Sequence, residues 1–247
     1  MGSGKVEMTR VAATAQLVYR KFISNSSTSY RQRVGEGLKD SGFKLWGKLL
    51  CFPFLLFWPG QSHSEFISLK EGDIIFQTSQ SSQSKAIQLA TKSKYSHMGI
   101  IYKSGDKFFV YEAIQPVKLT PLDSWIKRGQ GGNYVVKRLK DASRLLNEKT
   151  LKEIKRAGKK YKGRSYDLYF EWSDNRIYCS ELVWKIFKEA LGIEIGKLQK
   201  FREFDFSDPV VKAKLKERFG NKFPLDEPVI SPQAIFESDA LETVTSD

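Results

Sequence analysis

From residue 69 onward, apolar and polar positions repeat in two rhythms, and the switches between them mark out elements. Short apolar runs rich in β-branched and aromatic residues predict strands at Asp73-Ile74-Ile75-Phe76, Ser96–Tyr102, Lys107–Ala113 and Asn133–Leu139. Ser104-Gly105 separates the second and third of these as a hairpin turn pair. Helical spacing predicts a helix at Ser84–Thr91, with Ala86, Ile87 and Ala90 inward. A second covers Asn147–Tyr161, with Leu151, Ile154 and Tyr161 on one side. The clearest helix is Ser180–Leu191, where Leu182, Val183, Ile186, Phe187, Ala190 and Leu191 form one stripe and Gly192 stops it. The pattern predicts an α+β domain, an antiparallel sheet with helices on one side.

The first 64 residues follow neither rhythm for long. Val11, Ala12, Leu17, Val18 and Phe22 suit a short amphipathic helix, and Ser24-Asn25-Ser26-Ser27-Thr28-Ser29 reads as a break. The segment LWGKLLCFPFLLFWPG then carries an apolar run from Leu49 to Trp58. A spanning helix needs about 20 residues, and this run is half that with Pro53 inside it. It also lacks the position and cleavage site of a secretory signal. Leu50 precedes Cys51 where a lipoprotein signal wants a small residue, and Val6 stands where N-myristoylation wants Ser or Thr. Two readings stay open: the run packs on the main domain, or it dips into a membrane interface with Lys44 and Lys48 at its mouth. The expected division is a helical, partly hydrophobic extension over 1–65 and a domain over 66–247.

Composition narrows the chemistry. The 247 residues are 40% hydrophobic and 13% aromatic, which rules out wholesale disorder. Two cysteines cannot build a disulfide scaffold, and with two histidines they leave little for a zinc site. Net charge is +13, concentrated in residues 137–164, where 12 basic side chains face 3 acidic ones. An anionic membrane surface is one partner such a block suits; a solvated helix face is the plainer account. Nucleic acid is not expected, because the Lys-rich helix carries few aromatics for base stacking. The chain has no G-x-x-x-x-G-K-[ST] loop, no G-x-G-x-x-G and no G-x-S-x-G elbow. No cofactor and no metal are implied.

Two local features can carry a reaction. A turn centred on Ser104-Gly105 would pair Lys103 with Asp106, Tyr102 with Lys107 and His97 with Glu112. Directly opposed residues share a face with Cβ atoms about 5 Å apart, so Glu112 would orient His97 and stabilise its protonated form. Cys179 opens the last long helix, where the macrodipole and free N–H groups favour negative charge and can receive an oxyanion. His–Glu pairs also decorate sheets, and a cysteine starting an apolar helix is often inert. With one of each, a Cys-His-Glu triad is the economical reading.

The motifs LKEGDIIFQTS, YSHMGIIY, VYEA, YKGRSYDLYF and YCSELVW, in that order, resemble the circularly permuted papain-like hydrolases of NlpC type. Within these the chain is most similar to the YiiX/YebB-like group, related to lecithin:retinol acyltransferase. The resemblance runs from about Leu69 to Val244, through ISPQAIF, where Ser231 caps and Pro232 starts a last helix. It implies Cys179 as nucleophile, His97 as general base then acid, and Glu112 as orienter. Tyr166 matches a Tyr-Asp motif near the nucleophile, as an oxyanion donor or as core packing. Tyr178 would line the cleft, and Glu181 would be structural or contact a substrate amine. The implied reaction is thioester-mediated cleavage of an amide, isopeptide or ester, on a peptide or a lipid ester. Acyl transfer, or an inactive basic binding module, are the alternatives.

Overall fold

The computed structural model describes residues 68–244. The expected extension over 1–65, with its Leu49–Trp58 run, Cys51 and His63, lies outside them. In chain order the elements are β1 (Ile74–Gln77), α1 (Ser84–Thr91), β2 (His97–Ser104), β3 (Lys107–Glu112), β4 (Lys118–Pro121) and α2 (Leu122–Lys127). There follow β5 (Val135–Leu139), α3 (Ala142–Leu145), α4 (Glu148–Lys159), β6 (Ser165–Tyr166), β7 (Arg176–Ile177) and α5 (Cys179–Leu191). The chain closes with β8 (Gln199–Lys200), α6 (Pro209–Phe219), β9 (Pro228–Val229), α7 (Pro232–Phe236) and β10 (Leu241–Thr243). Most of the longer elements stand where the periodicity places them, but the eleven-residue α6 is not among the helices it predicts. The remainder are mostly two to six residues, too short for any periodicity to show.

Six strands form one antiparallel sheet in the order β10-β5-β1-β2-β3-β4. The larger core lies on one face, where Ile74, Phe76, Ile100 and Tyr111 meet Ile154 of α4 and Leu182, Ile186 and Phe187 of α5. Two tyrosines tie α4 to the strands: Tyr111 Oη donates to the Gly158 carbonyl at 2.6 Å and Tyr102 Oη to that of Ile154 at 3.2 Å. The seam is tight enough that a Cβ on Gly158 would stand 2.6 Å from Tyr102 Oη.

The expectation of helices on one side needs correction. Ile75, Ile101, Val110 and Val136 point to the opposite face and gather around Trp125 of α2. That face is apolar because the central strands are buried on both sides, so their apolar runs do not alternate. At the sheet's other end, Arg138 holds buried Asp73 through two bonds of 2.7 and 2.8 Å. Asp73 also accepts from the Lys70 N–H at 2.7 Å.

The hairpin register also differs from expectation. Ser104 pairs with Lys107 and Ile100 with Tyr111, so the turn residues are Gly105 and Asp106. Gly105 has φ +57, and the first central position of a tight hairpin is where a glycine resolves positive φ without a Cβ clash. Partners therefore sum to 211, not the expected 209, and the ladder is displaced by two residues.

Candidate active site

The two-residue displacement preserves the site because strand side chains alternate with period two. Extended by one step, the observed ladder sets Glu112 opposite Gly99, with His97 as its diagonal neighbour on the same face. Gly99 puts no side chain there, and Val110 packs into its place: a Cβ on Gly99 would stand 2.4 Å from Val110 Cγ1, 2.7 Å from the Tyr111 carbonyl oxygen and 3.3 Å from Glu112 Cβ. His97 Nε2 and Glu112 Oε2 meet at 2.6 Å. Glu112 is fully buried, and its second oxygen accepts from Thr120 Oγ1 at 2.5 Å and from Arg128. Burial alone would push this carboxyl up; the bonds and charges of His97, with Arg128 and Thr120, hold it below the usual range. It is an anion on three supports.

Cys179 enters from the other core. It is the first residue of α5, Tyr178 is the N-cap, and the Leu182–Phe187 stripe anchors the helix on the sheet. Cys179 lies next to His97 and acts on the charge of its imidazole. Because Nε2 faces Glu112, Nδ1 is the ring nitrogen left for sulfur. Burial pulls the imidazole down, but the bonds and charges of Cys179 and Glu112 outweigh it and push His97 up to about 9. A histidine bracketed by two anion-forming groups stays protonated at neutral pH. The rings of His97 and Trp125 lie stacked with centroids 6.0 Å apart, which shields the imidazole from one side.

Tyr166 is brought to the same place by a two-residue parallel ladder that the sequence pattern does not show. It pairs with Ile177, two residues before Cys179. Its hydroxyl accepts from Gln83 Nε2 at 3.0 Å, and Gln83 Oε1 in turn accepts from Arg218 at 2.7 Å. Burial, with the charge of Cys179 added, pushes this phenol well above its ordinary value. The hydroxyl therefore keeps its proton and is a donor. Tyr178 lines the groove described next and packs edge-on to Phe170 at 5.2 Å. Its oxygen accepts from the Ile230 N–H at 3.2 Å.

Glu181 is committed within the helix. Fully buried, it accepts from the Tyr178 N–H at 3.4 Å and pairs with Lys185 at 2.9 Å. Burial pushes it up to about 8 despite that lysine. This is the structural of its two expected roles. Gln83, Thr120, Arg128 and Arg218 escaped the sequence reading, since a lone polar residue on a short element carries no periodic signal. Thr120 alone had a cue, because a hairpin continued into a third strand would set it across from Val110.

A groove of about 700 Å³ opens beside Cys179. Phe170, Phe201, Phe204, Phe206 and Leu215 make much of its wall, with Lys214 and Arg218 among its few charged members. The Cys179 sulfur therefore borders an apolar slot, and the slot runs between α1 and α6.

Comparison with known proteins gives the family. A family model described as "Permuted papain-like amidase enzyme, YaeF/YiiX, C92 family" matches residues 68–245. The uncharacterized protein YiiX of Escherichia coli K12 is 51% identical over 176 residues, 71% of this chain and 86% of the relative. A crystal structure described as metalloprotein yiiX from Escherichia coli O157:H7 superposes with a TM-score of 0.69 at 50% identity, covering 72% of this chain and 97% of that one. With its histidine strand ahead of its cysteine helix and the family model spanning the whole described domain, this chain belongs to the permuted papain-like amidase family of YaeF and YiiX.

Proposed function

We propose that the protein is a cysteine hydrolase that cleaves an acyl amide or ester through a thioester on Cys179, with the acyl group held in the apolar groove. The observation that carries this reading is His97, held through Nε2 by buried Glu112 and set next to Cys179. The proton already rests on His97, and the Cys179 sulfur attacks the carbonyl carbon. The oxyanion forms beside the free N–H groups that open α5, where Tyr166 also has a proton to donate. Collapse breaks the C–N or C–O bond as His97 returns the proton to the leaving amine or alcohol. His97 then deprotonates a water that attacks the thioester, releasing a carboxylic acid and freeing the sulfur. Glu112, pinned by Thr120 and Arg128, keeps the ring in one orientation throughout.

The Escherichia coli relative is described as a metalloprotein. Among the described residues of this chain no cluster of three or more His, Cys, Asp or Glu side chains could hold a metal ion. No step is routed through one.

The test is acylation followed by intact mass and peptide mapping, with a panel of acyl amides and esters of increasing chain length. The expected result is a hydroxylamine-sensitive adduct on Cys179, absent in Cys179→Ser, with turnover improving as the acyl chain fills the groove. Release to an added alcohol or amine in preference to water would make the enzyme an acyltransferase. Modification of Cys51 alone, or of neither cysteine, overturns the reading.

A further inference from the structure

Large apolar side chains stand in solvent on one side of the groove. Leu168, Tyr169, Phe223 and Leu225 are 48, 37, 40 and 43% exposed. They are joined rather than scattered. The Tyr169 ring meets Phe219 at 5.9 Å, Phe219 meets Phe223 at 6.3 Å, and the Leu225 N–H donates to the Phe223 carbonyl at 2.9 Å. Phe219 also touches Phe201 at 5.6 Å, and Phe201 and Phe170 are groove walls. One apolar surface thus runs from solvent to the slot beside Cys179.

Its border is cationic. Residues 209–223 hold Lys212, Lys214, Lys216, Arg218 and Lys222 against a single acid, Glu217. Glu217 pairs with Lys214 at 2.6 Å. Lys212, Lys216 and Lys222 are exposed, with no carboxylate in ion-pairing distance among the described residues. Arg176, 5.3 Å over the Tyr169 ring, is already paired with Glu171 at 2.6 Å. Exposed aromatic and aliphatic side chains beside exposed, unpaired lysines have the composition of an interfacial anchor.

We propose that the Leu168–Tyr169–Phe223–Leu225 face docks on an anionic phospholipid surface, so that an acyl chain passes from the bilayer along Phe219 and Phe201 to Cys179. This rests on the acyl-hydrolase reading above and adds its partner: a lipid surface that presents the substrate. The site differs from both the 137–164 block and the Leu49–Trp58 run.

The experiment uses the full chain with vesicles of mixed phosphatidylglycerol and phosphatidylcholine, and of phosphatidylcholine alone. Vesicle affinity is measured by sedimentation, and hydrogen exchange locates the footprint. The expected footprint covers 167–170 and 209–225 on anionic vesicles and fades on neutral ones or in high salt. Leu168→Asp/Phe223→Asp/Leu225→Asp should weaken vesicle affinity by at least about tenfold while leaving turnover of a short water-soluble ester unchanged. Should that variant not fold, Lys216→Glu/Lys222→Glu carries the same test through charge alone. Protection confined to residues before 66, equal binding to neutral vesicles, or variants that bind like the wild type would overturn the inference. A footprint without Cys179 acylation would sink the hydrolase reading and leave the docking face standing; acylation without a footprint does the reverse.

Discussion

At the scale of single residues, the site turns on how Glu112 is held. It is fully buried and answers to three donors, of which His97 does most to hold its charge, with Arg128 and Thr120 behind it. Glu112→Gln keeps the shape but removes the charge that stabilises imidazolium, and the expected loss in kcat is up to about four decades. His97→Ala should cost at least as much, with the double variant little worse than His97→Ala alone because the two act as one unit. Multiplicative losses, read from kcat on whichever ester the screen yields, would show that Glu112 acts elsewhere. The pH profile is a second check. His97 is raised to about 9 from an ordinary 6.5. The stabilisation carried by its protonated form is therefore complete below about 6.5 and lost as pH rises through about 9. The alkaline limb of kcat/KM should fall near pH 9, and Glu112→Gln should move it to lower pH.

At the scale of elements, parity matters more than register. The hairpin differs from the simplest arithmetic by two residues because Gly105, with φ +57, takes the first turn position and not the second. An error of one would have turned Glu112 into the opposite core; an error of two made a direct pair diagonal. A diagonal pair spans about 7–8 Å between backbones, and Gly99 puts no side chain between the two, so that Val110 packs into its place. Gly99→Ala should then be out of proportion to its one methyl group. Its Cβ would press on Val110 Cγ1, the Tyr111 carbonyl and Glu112 Cβ, costing about 1–3 kcal/mol with a fall in kcat, measured by denaturant midpoint and turnover. An unchanged kcat would mean that the His97–Glu112 contact does not depend on a glycine at 99.

At the scale of the molecule, one sheet serves two cores and the candidate site sits where they meet. His97, Glu112 and Thr120 belong to the Trp125 face, and Cys179 arrives from the helical face at the end of the sheet where β2 begins. Far from that end, Asp73 and Arg138 hold β1 to β5 and bring the Lys70 backbone with them. Arg138 has a side chain only 13% exposed, so Asp73→Ala would strand a buried cation. The expected cost is about 3–5 kcal/mol by urea titration. Replacing both partners with Leu and Met should recover most of it, since the penalty comes from the orphaned charge. A double variant as unstable as Asp73→Ala would put the cause elsewhere.

The chain's own pattern determined what depends on neighbours in sequence: β1 to β3, the helices at 84, 148 and 179, the Ser231 cap, and the order of the histidine strand before the cysteine helix. The Ser231 side chain accepts from the Ala234 N–H at 3.0 Å, as such a residue does where a helix begins. Only the tertiary structure decided what depends on distant partners. Tyr166 reaches Cys179 through a parallel ladder two residues long, and Arg128 reaches Glu112 from the end of α2. The groove walls come from α1, the 201–206 segment and α6. None of these contacts has a period, because each joins single residues whose approach is set by packing and not by a repeated backbone geometry. A sequence pattern reports which face a side chain takes, and only the folded chain reports what that face meets.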